Sequence, residues 1–178
     1  MTVTVRRATV DDADGLSRLA AITFPLACTP RTPPEVLADH VARHLDPASF
    51  RRHLTDPATV VVLSEHHPGA DPVGYAMLVP GDPTDPDVAT AVTARPTVAL
   101  ERFYVHPRHH GTGVADALMD ATLVHARRTA ARSVWLGVSE ENGRANAFYA
   151  RHGFAQVGRK RFPIGETWED DHVRELVL

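Results

Sequence analysis

Two segments of the 178-residue chain combine residue types that suit the binding of a ligand. In the first, "YVHPRHHGTGV" (residues 104–114), two glycines separate an apolar strand pattern from an apolar helix pattern. Gly111 and Gly113 lack a Cβ, so the backbone N–H groups beside them can approach a ligand closely. The following helix N-terminus adds unpaired N–H donors and a partial positive charge. This segment predicts an anion site suited to phosphate, and a turn with purely geometric glycines is the alternative.

Two common phosphate motifs do not fit this segment. A Walker A loop requires Gly-Lys-Ser/Thr, whereas Gly113 is followed by Val114 and Ala115. A dinucleotide-binding fold requires an acid about 20 residues after its glycine turn, and Glu140 and Glu141 come somewhat late for that role. In such a fold the glycines also follow the first strand, whereas the present turn lies well inside the chain.

The second segment, "EENGRANAFYARHGF" (residues 140–154), carries a second motif behind the glycine turn. It reads Asn-x-x-Ala-x-x-Phe-Tyr-x-x-x-Gly-Phe from Asn142 to Phe154, and the first segment reads Arg-x-x-Gly-x-Gly from Arg108 to Gly113. With these two motifs the chain resembles the GNAT superfamily of acetyl-CoA-dependent N-acetyltransferases over residues 100–158. The N-terminal half is similar to that family only in the order of its strands and helices.

The resemblance implies that acetyl-CoA is the cosubstrate. Backbone amides of about Arg108 to Val114 would hold the pyrophosphate, and the strand around Phe103–Val105 would bind pantetheine through sheet-like hydrogen bonds. In the family, the strand that corresponds to "VWLGVS" splays from its neighbour and admits the thioester arm. Asn142 would reach the cofactor from the next helix, and an N-cap is its alternative role. The implied cofactor-binding residues are Phe103, Tyr104, Val105, Arg108, His109, His110, Gly111, Thr112, Gly113, Val114, Asn142 and Tyr149.

Two residues are predicted to carry the chemistry. Tyr149 matches the family tyrosine that donates a proton to the departing thiolate, and a buried core tyrosine is the alternative. Glu101 lies two residues before Phe103, on the same face of a strand, and would accept the amine proton directly or through water. Pairing with Arg102 is its alternative role, and His106 is a second candidate base. The spacing in "HPRHH" is unlike a zinc site, so no metal is expected.

The acceptor is harder to identify from the sequence. The resemblance is greatest with bacterial polyamine (spermidine/spermine-type) N-acetyltransferases, and it implies direct transfer to the primary amine of a polyamine-like small molecule. Acids near the C-terminal hairpin would attract a polycation. The alternatives are another small-amine acetyltransferase, a protein N-terminal or lysine acetyltransferase, a non-catalytic acyl-CoA-binding sensor and a nucleotide-binding regulator. The acids are Glu166, Glu169, Asp170 and Asp171.

The elements that must position these residues follow from hydrophobic periodicity and turn signals. Residues 81–96 contain several prolines and are predicted to form a long surface loop. Helices are predicted in "TVDDADGLSRLAAITF" and at about Glu35–Leu45, Ala48–Leu54, Gly113–Thr129 and Gly143–Arg151. Strands are predicted at Thr2–Arg6, Thr59–Glu65, Pro72–Val79 and Thr97–Val105 and in "SVWLGVS", "FAQVGRKRFPI" and "HVRELVL".

This order predicts an α+β (mixed α/β) fold of GNAT type. We expect one N-acetyltransferase domain over residues 1–178, with a twisted, mostly antiparallel sheet of six to seven strands that is flanked by helices and splayed around the coenzyme A site. The hydrophobic fraction of 43%, the net charge of −3 and the lone Cys28 indicate a cytoplasmic protein without nucleic-acid or membrane partners. A homodimer is left open.

Overall fold

The computed structural model describes residues 3–178, and its centre is a seven-stranded sheet of order β1-β2-β3-β4-β5-β7-β6. All neighbouring strands are antiparallel except β4 and β5, which are parallel. The mixed fold with a mostly antiparallel sheet is therefore confirmed. The strands are β1 (Thr4–Arg7), β2 (Val60–Glu65), β3 (Gly74–Pro80), β4 (Thr97–Val105), β5 (Ser133–Ser139), β6 (Ala155–Ile164) and β7 (Thr167–Val177).

Helices cover both faces of the sheet, and each face has its own hydrophobic core. One core contains buried side chains of α5 and α6, and the other contains those of α1 and α3. No helix within residues 3–178 is long and apolar enough to cross a membrane. The helices are α1 (Ala13–Thr23), α2 (Pro34–His44), α3 (Pro47–Thr55), α4 (Pro86–Ala91), α5 (Val114–Arg127) and α6 (Gly143–Arg151).

Local sequence signals explain where several helices begin and end. Asp46 caps α3 by accepting a hydrogen bond of 2.9 Å from the Ser49 amide. Gly153 ends α6 with a φ of +87°, a left-handed conformation that favours glycine. The predicted bounds of α2, α3, α5 and α6 agree with the structure within two residues. The start of the predicted first strand, Thr2, lies outside the described residues.

Two predicted elements were wrong in extent. The expected loop over residues 81–96 contains α4, whose N-cap Asp85 accepts hydrogen bonds from the Asp87 and Val88 amides at 2.9 and 3.2 Å. The last strand was expected to begin at His172, yet β7 begins at Thr167. Its first half is acidic and shows no apolar alternation. These added residues matter because two of them reach the active-site cavity.

Candidate active site

The parallel strands β4 and β5 separate after a short pairing. Thr97–Ala99 pairs with Ser133–Trp135, and beyond these residues the two strands have no common register. β5 remains paired with β7 along its whole length, whereas β4 remains paired with β3. The wedge between them opens into a cavity of about 400 Å³. Backbone groups of β4 that face this wedge therefore have no partner strand within the described part of the chain. A ligand can form hydrogen bonds with them, as an additional strand would.

A bulge in β4 changes the orientation of Glu101. Met77 of β3 pairs with Arg102 and Leu78 pairs with Leu100, so Glu101 has no partner on β3. Leu100 and Phe103 consequently pack into the same core although they are three residues apart. The expectation that Glu101 and Phe103 share a face by strict alternation was therefore wrong, because a bulge shifts the period.

Glu101 nevertheless lines the cavity and is exposed. The alternative role predicted for it, an ion pair with Arg102, does not occur. Arg102 instead donates a hydrogen bond of 3.3 Å to the His44 carbonyl oxygen, and its guanidinium lies 5.2 Å from the centre of the Phe50 ring. Glu101 is thus a free carboxylate at the site rather than a structural partner.

The glycine turn leads directly into the N-terminus of α5. Gly111 and Gly113 have φ values of +74° and +85°, and Gly113 is the N-cap residue. A Cβ built at either glycine would have no heavy atom within 4 Å. The glycines are therefore required by backbone conformation, and the space above the turn is open. This geometry leaves room for a phosphate group beside the free amides of the first helical turn.

The predicted cofactor-binding residues divide between the cavity and the turn. Phe103, Tyr104, Val105, His110, Asn142 and Tyr149 line the cavity. Arg108, His109, Gly111, Thr112, Gly113 and Val114 lie beyond it, in the turn and the first residue of α5. Burial lowers the pKa of both His109 and His110, so neither ring adds positive charge at neutral pH. The Asn142 side chain accepts a hydrogen bond of 3.1 Å from the Ala145 amide, so it acts as an N-cap as well.

Tyr149 enters the cavity from α6 and is 8% exposed. Its ring packs against Phe103, with 6.1 Å between the ring centres, and against Phe148 at 5.5 Å. Burial raises the pKa of its hydroxyl above the ordinary value, so the group is protonated at neutral pH. Tyr149 is therefore a core residue that also lines the cavity.

The cavity is also lined by the segment after α1 and by the hairpin of β6 and β7. Phe24, Cys28 and Phe162 supply apolar surface there, and Lys160, Glu169 and Asp171 supply charge. Burial, together with Glu169 and Asp171, raises the pKa of the Cys28 thiol to about 12. Cys28 is consequently a neutral wall residue at physiological pH.

Among the four acids predicted to attract a polycation, only two are buried at the cavity. Glu169 accepts hydrogen bonds from the Thr29 amide at 3.0 Å, from Thr29 Oγ1 at 3.1 Å and from Thr32 Oγ1. Through its Oε1 atom it therefore fixes the segment after α1 to β7. Asp171 is 8% exposed and lines the cavity, whereas Glu166 and Asp170 are exposed outside it.

His106, the second candidate base, is not among the cavity-lining residues. Its Nδ1 accepts a hydrogen bond of 3.2 Å from the Arg108 amide, which caps the short turn Pro107–His109. Within residues 3–178 no group of three or more His, Cys, Asp or Glu side chains is arranged to hold a metal ion.

Several cavity residues were not predicted from the sequence. Arg144 lines the cavity and contacts His110 Nδ1. Its position two residues after Asn142 was a usable signal for a cation near the phosphate turn. Lys160 and Trp135 had no such signal, because their access to the cavity depends on the pairing of β6 and β5 with β7.

Comparison with known proteins identifies the family of this chain. Residues 25–154 match the sequence profile of the Acetyltransferase (GNAT) family. An uncharacterized N-acetyltransferase of Mycobacterium tuberculosis is 43% identical over 168 residues, which cover 93% of this chain and 99% of the relative. A Mycobacterium bovis protein of the same description matches with the same identity and coverage.

Solved structures share the fold at low sequence identity. The PaiA N-acetyltransferase of Thermoplasma acidophilum, solved with coenzyme A, aligns over 100% of both chains with a TM-score of 0.74 and 12% identity. Arabidopsis thaliana NAA60, solved with a bisubstrate analogue, aligns over 99% of both chains with a TM-score of 0.72 and 16% identity. These likenesses show a common architecture.

Proposed function

Because the chain belongs to the GNAT family of acetyltransferases and is an acetyl-CoA-dependent N-acetyltransferase, we propose that its acceptor is a primary amine of a polyamine-like small molecule. One observation carries this proposal. Tyr149 and the buried carboxylate of Asp171 line the same cavity, which opens from the wedge of β4 and β5. The acetyl donor and a cationic acceptor would therefore bind next to each other in this cavity.

The proposed place of the donor follows the open backbone. Amides of about Arg108 to Val114 bind the pyrophosphate, and the wedge side of Phe103–Val105 binds pantetheine. The positive φ values of Gly111 and Gly113 support this role, because they form a turn directly before α5. The backbone amides of this turn and of the first helical residues can then bind one phosphate group together. Asn142 and the Arg144–His110 contact lie beside the same path.

The proposed chemistry is direct attack of the amine on the thioester. An alkyl amine has a pKa of about 10.4, so it arrives mostly protonated and must lose a proton. Glu101 accepts a proton from the acceptor nitrogen, directly or through water. An amide of the Phe103–Val105 strand stabilises the oxyanion, and Tyr149 protonates the thiolate. The raised pKa of Cys28 supports direct transfer, because a neutral thiol is a poor acyl carrier.

A peptide acceptor is the main competing proposal, since the structural relatives include NAA60 and a ribosomal-protein-alanine N-acetyltransferase of Brucella melitensis, 21% identical with a TM-score of 0.70. The apolar surface of Phe24 and Phe162 beside Asp171 suits the methylene stem and ammonium head of an alkyl amine. We favour the alkyl amine because this apolar surface and the buried carboxylate lie in one cavity.

A panel of acceptors tests the proposal. Thiol release from acetyl-CoA is measured with spermidine, putrescine, an aminoglycoside, an alanine-initiated peptide and a lysine peptide. We expect the highest kcat/KM with spermidine or putrescine. Faster turnover of a peptide would replace the proposed substrate class, and binding of acetyl-CoA without any turnover would favour the acyl-CoA sensor.

The same proposal includes the domain organisation, the cellular location and the partners of the chain. The chain acts as one N-acetyltransferase domain over residues 1–178, and it works in the cytoplasm with small-molecule amines. Its net charge of −3 gives no reason to expect nucleic acid as a partner. Light scattering distinguishes a monomer from a homodimer.

A further inference from the structure

The acceptor nitrogen must lose two protons, and Glu101 accounts for one of them. An ammonium first loses a proton to become nucleophilic. After the N–C bond forms and the C–S bond breaks, the nitrogen loses a second proton as it becomes an amide. The sulfur takes the electron pair of the broken bond and one proton from Tyr149. The net reaction therefore releases coenzyme A thiol, an amide and one proton to water.

Asp171 occupies a position from which it reaches the cavity across β5. It lies opposite Ser139 in the register of β5 and β7. A Cβ built at Gly137 would stand 3.1 Å from Asp171 Oδ2 and 2.6 Å from Lys160 Cε. The absence of a side chain at Gly137 thus leaves the space in which Asp171 and Lys160 lie over the strand, and it brings the carboxylate to the wedge.

Asp171 is buried but has no close polar partner. Its one ion-pair partner within residues 3–178 is Lys160, whose Nζ lies 3.9 Å from Oδ2, which is too far for a direct hydrogen bond. A buried carboxylate without hydrogen bonds is costly unless another group completes it. Because Asp171 also lines the cavity, an ammonium group entering the cavity supplies the missing donor.

The groups that face Asp171 set its acidity. Burial raises its pKa to about 6, Lys160 of β6 lowers it, and the carboxylates of Glu169 and Asp170 of β7 and Glu140 after β5 raise it. The thiol of Cys28 and the hydroxyl of Tyr104 face the same carboxylate. Asp171 is thus ionised at neutral pH and is a stronger base than an ordinary aspartate.

We propose that Asp171 binds the ammonium form of the acceptor and takes its first proton, and that Glu101 takes the second. This inference rests on the proposed N-acetyltransferase function and assigns the acceptor side of that same site. Asp171 and Tyr149 lie on opposite faces of β5, because Gly137, beside Asp171, points away from the core that holds Leu136 and Tyr149. The amine therefore loses its proton on one face, and the thiolate gains one on the other.

The test compares Asp171→Asn with Asp170→Asn, a neighbour on the exposed face of β7. The kcat/KM for spermidine is measured from pH 5 to pH 9. The wild type should lose activity below about pH 6, where Asp171 becomes protonated. Asp171→Asn should be slower at pH 7 by roughly 10²-fold. It should lack the inflection near pH 6 and regain rate as the neutral amine increases at high pH. Asp170→Asn should keep the activity and the inflection, moved somewhat to lower pH, because Asp170 is one of the carboxylates that raise the pKa of Asp171.

Coenzyme A affinity, measured by calorimetry, shows that Asp171→Asn keeps its fold and its donor site. A wild-type pH profile in Asp171→Asn, beside an active wild type, would overturn this inference alone. If the wild type turned over none of the amines in the panel, the proposed function would fail and this inference with it. The two failures are therefore distinguishable.

Discussion

Tyr149 shows at the scale of one residue how packing and chemistry coincide. Its ring packs against Phe103 and Phe148, and the residue lines the cavity. Burial raises the pKa of its hydroxyl, so the proposed acid is protonated at neutral pH. Removing only the oxygen separates the proposed acid role from the packing role.

Tyr149→Phe keeps the ring and its contacts. If the hydroxyl protonates the thiolate, kcat should fall by roughly 10²–10⁴ while coenzyme A affinity changes little. Tyr75→Phe is the matched control, because Tyr75 is also buried and its hydroxyl has no hydrogen-bond partner among residues 3–178. Equal turnover of both variants and the wild type would assign Tyr149 to the core alone.

Glu101→Gln removes one carboxylate from the bulge of β4. Turnover of spermidine should fall by about 10-fold or more, because the second proton of the nitrogen loses its acceptor. The melting temperature should not change, since Glu101 is exposed and forms no pair with Arg102. Glu35→Gln, an exposed change on α2, serves as the control. Unchanged kinetics in Glu101→Gln would leave the nitrogen's second proton to water.

Asp171 also predicts a pH dependence of stability. Its pKa is raised from 3.8 to about 6 in the folded protein, so folding favours the protonated form and ionisation weakens the fold. The stability that the protonated Asp171 carboxyl contributes is lost as pH rises from about 4 through about 6. The unfolding free energy of Asp171→Asn relative to wild type should therefore increase across that window, by about 2–3 kcal/mol at most. Urea titrations at pH 4 and pH 7 measure it, and a flat difference would contradict the assigned acidity.

At the scale of elements, the glycine turn joins β4 to α5, where we propose that it holds the pyrophosphate of the donor. Gly111→Glu introduces a side chain and a negative charge where the pyrophosphate is expected. We predict at least a tenfold loss of coenzyme A affinity, about 1.4 kcal/mol. Gly81→Glu is the matched control. Gly81 also has a positive φ and open space around it, but it follows the C-terminal end of β3 and is not part of the glycine turn. A folded Gly111→Glu variant with unchanged affinity would remove the turn from the site.

The elements also show what the sequence could and could not predict. The glycines before α5 and the motif from Asn142 to Phe154 predicted the turn and the helices α5 and α6, because local chain conformation defines these features. The first half of β7 was missed for a physical reason, although its acids were predicted to attract the acceptor. In β7 the buried positions Glu169 and Asp171 are acidic, so hydrophobic alternation gives no strand signal there.

The bulge at Glu101 was missed for a related reason. The bulge is defined only by the pairing of β4 with β3. Arg102 and Leu100 pair with two successive residues of β3, which leaves Glu101 without a partner on that strand. No single-strand pattern reveals such a shift. In both strands the ordinary sequence rules fail at the residues that line the cavity, as expected where a site replaces packing.

At the scale of the whole molecule, the sheet is incomplete in its middle. β4 and β5 share three paired positions and then diverge, although both remain paired on their outer sides. The two hydrophobic cores lie on opposite faces of this divided sheet. A ligand that fills the wedge therefore contacts both halves of the molecule and should stabilise the fold as a unit.

This arrangement leads to the last prediction, which concerns thermal unfolding. Coenzyme A at about 100 times its dissociation constant should add about 2.7 kcal/mol to the free energy of unfolding. For a chain of this size, that corresponds to a rise in melting temperature of roughly 5–10 °C. ATP and NAD share the phosphates but lack the pantetheine that bridges β4 and β5, so each should give a much smaller shift. Scanning calorimetry with the three ligands measures the difference, with Gly111→Glu as the variant that should lose the response to coenzyme A. Equal stabilisation by ATP or NAD would contradict a site built on the wedge and would favour a nucleotide-binding regulator.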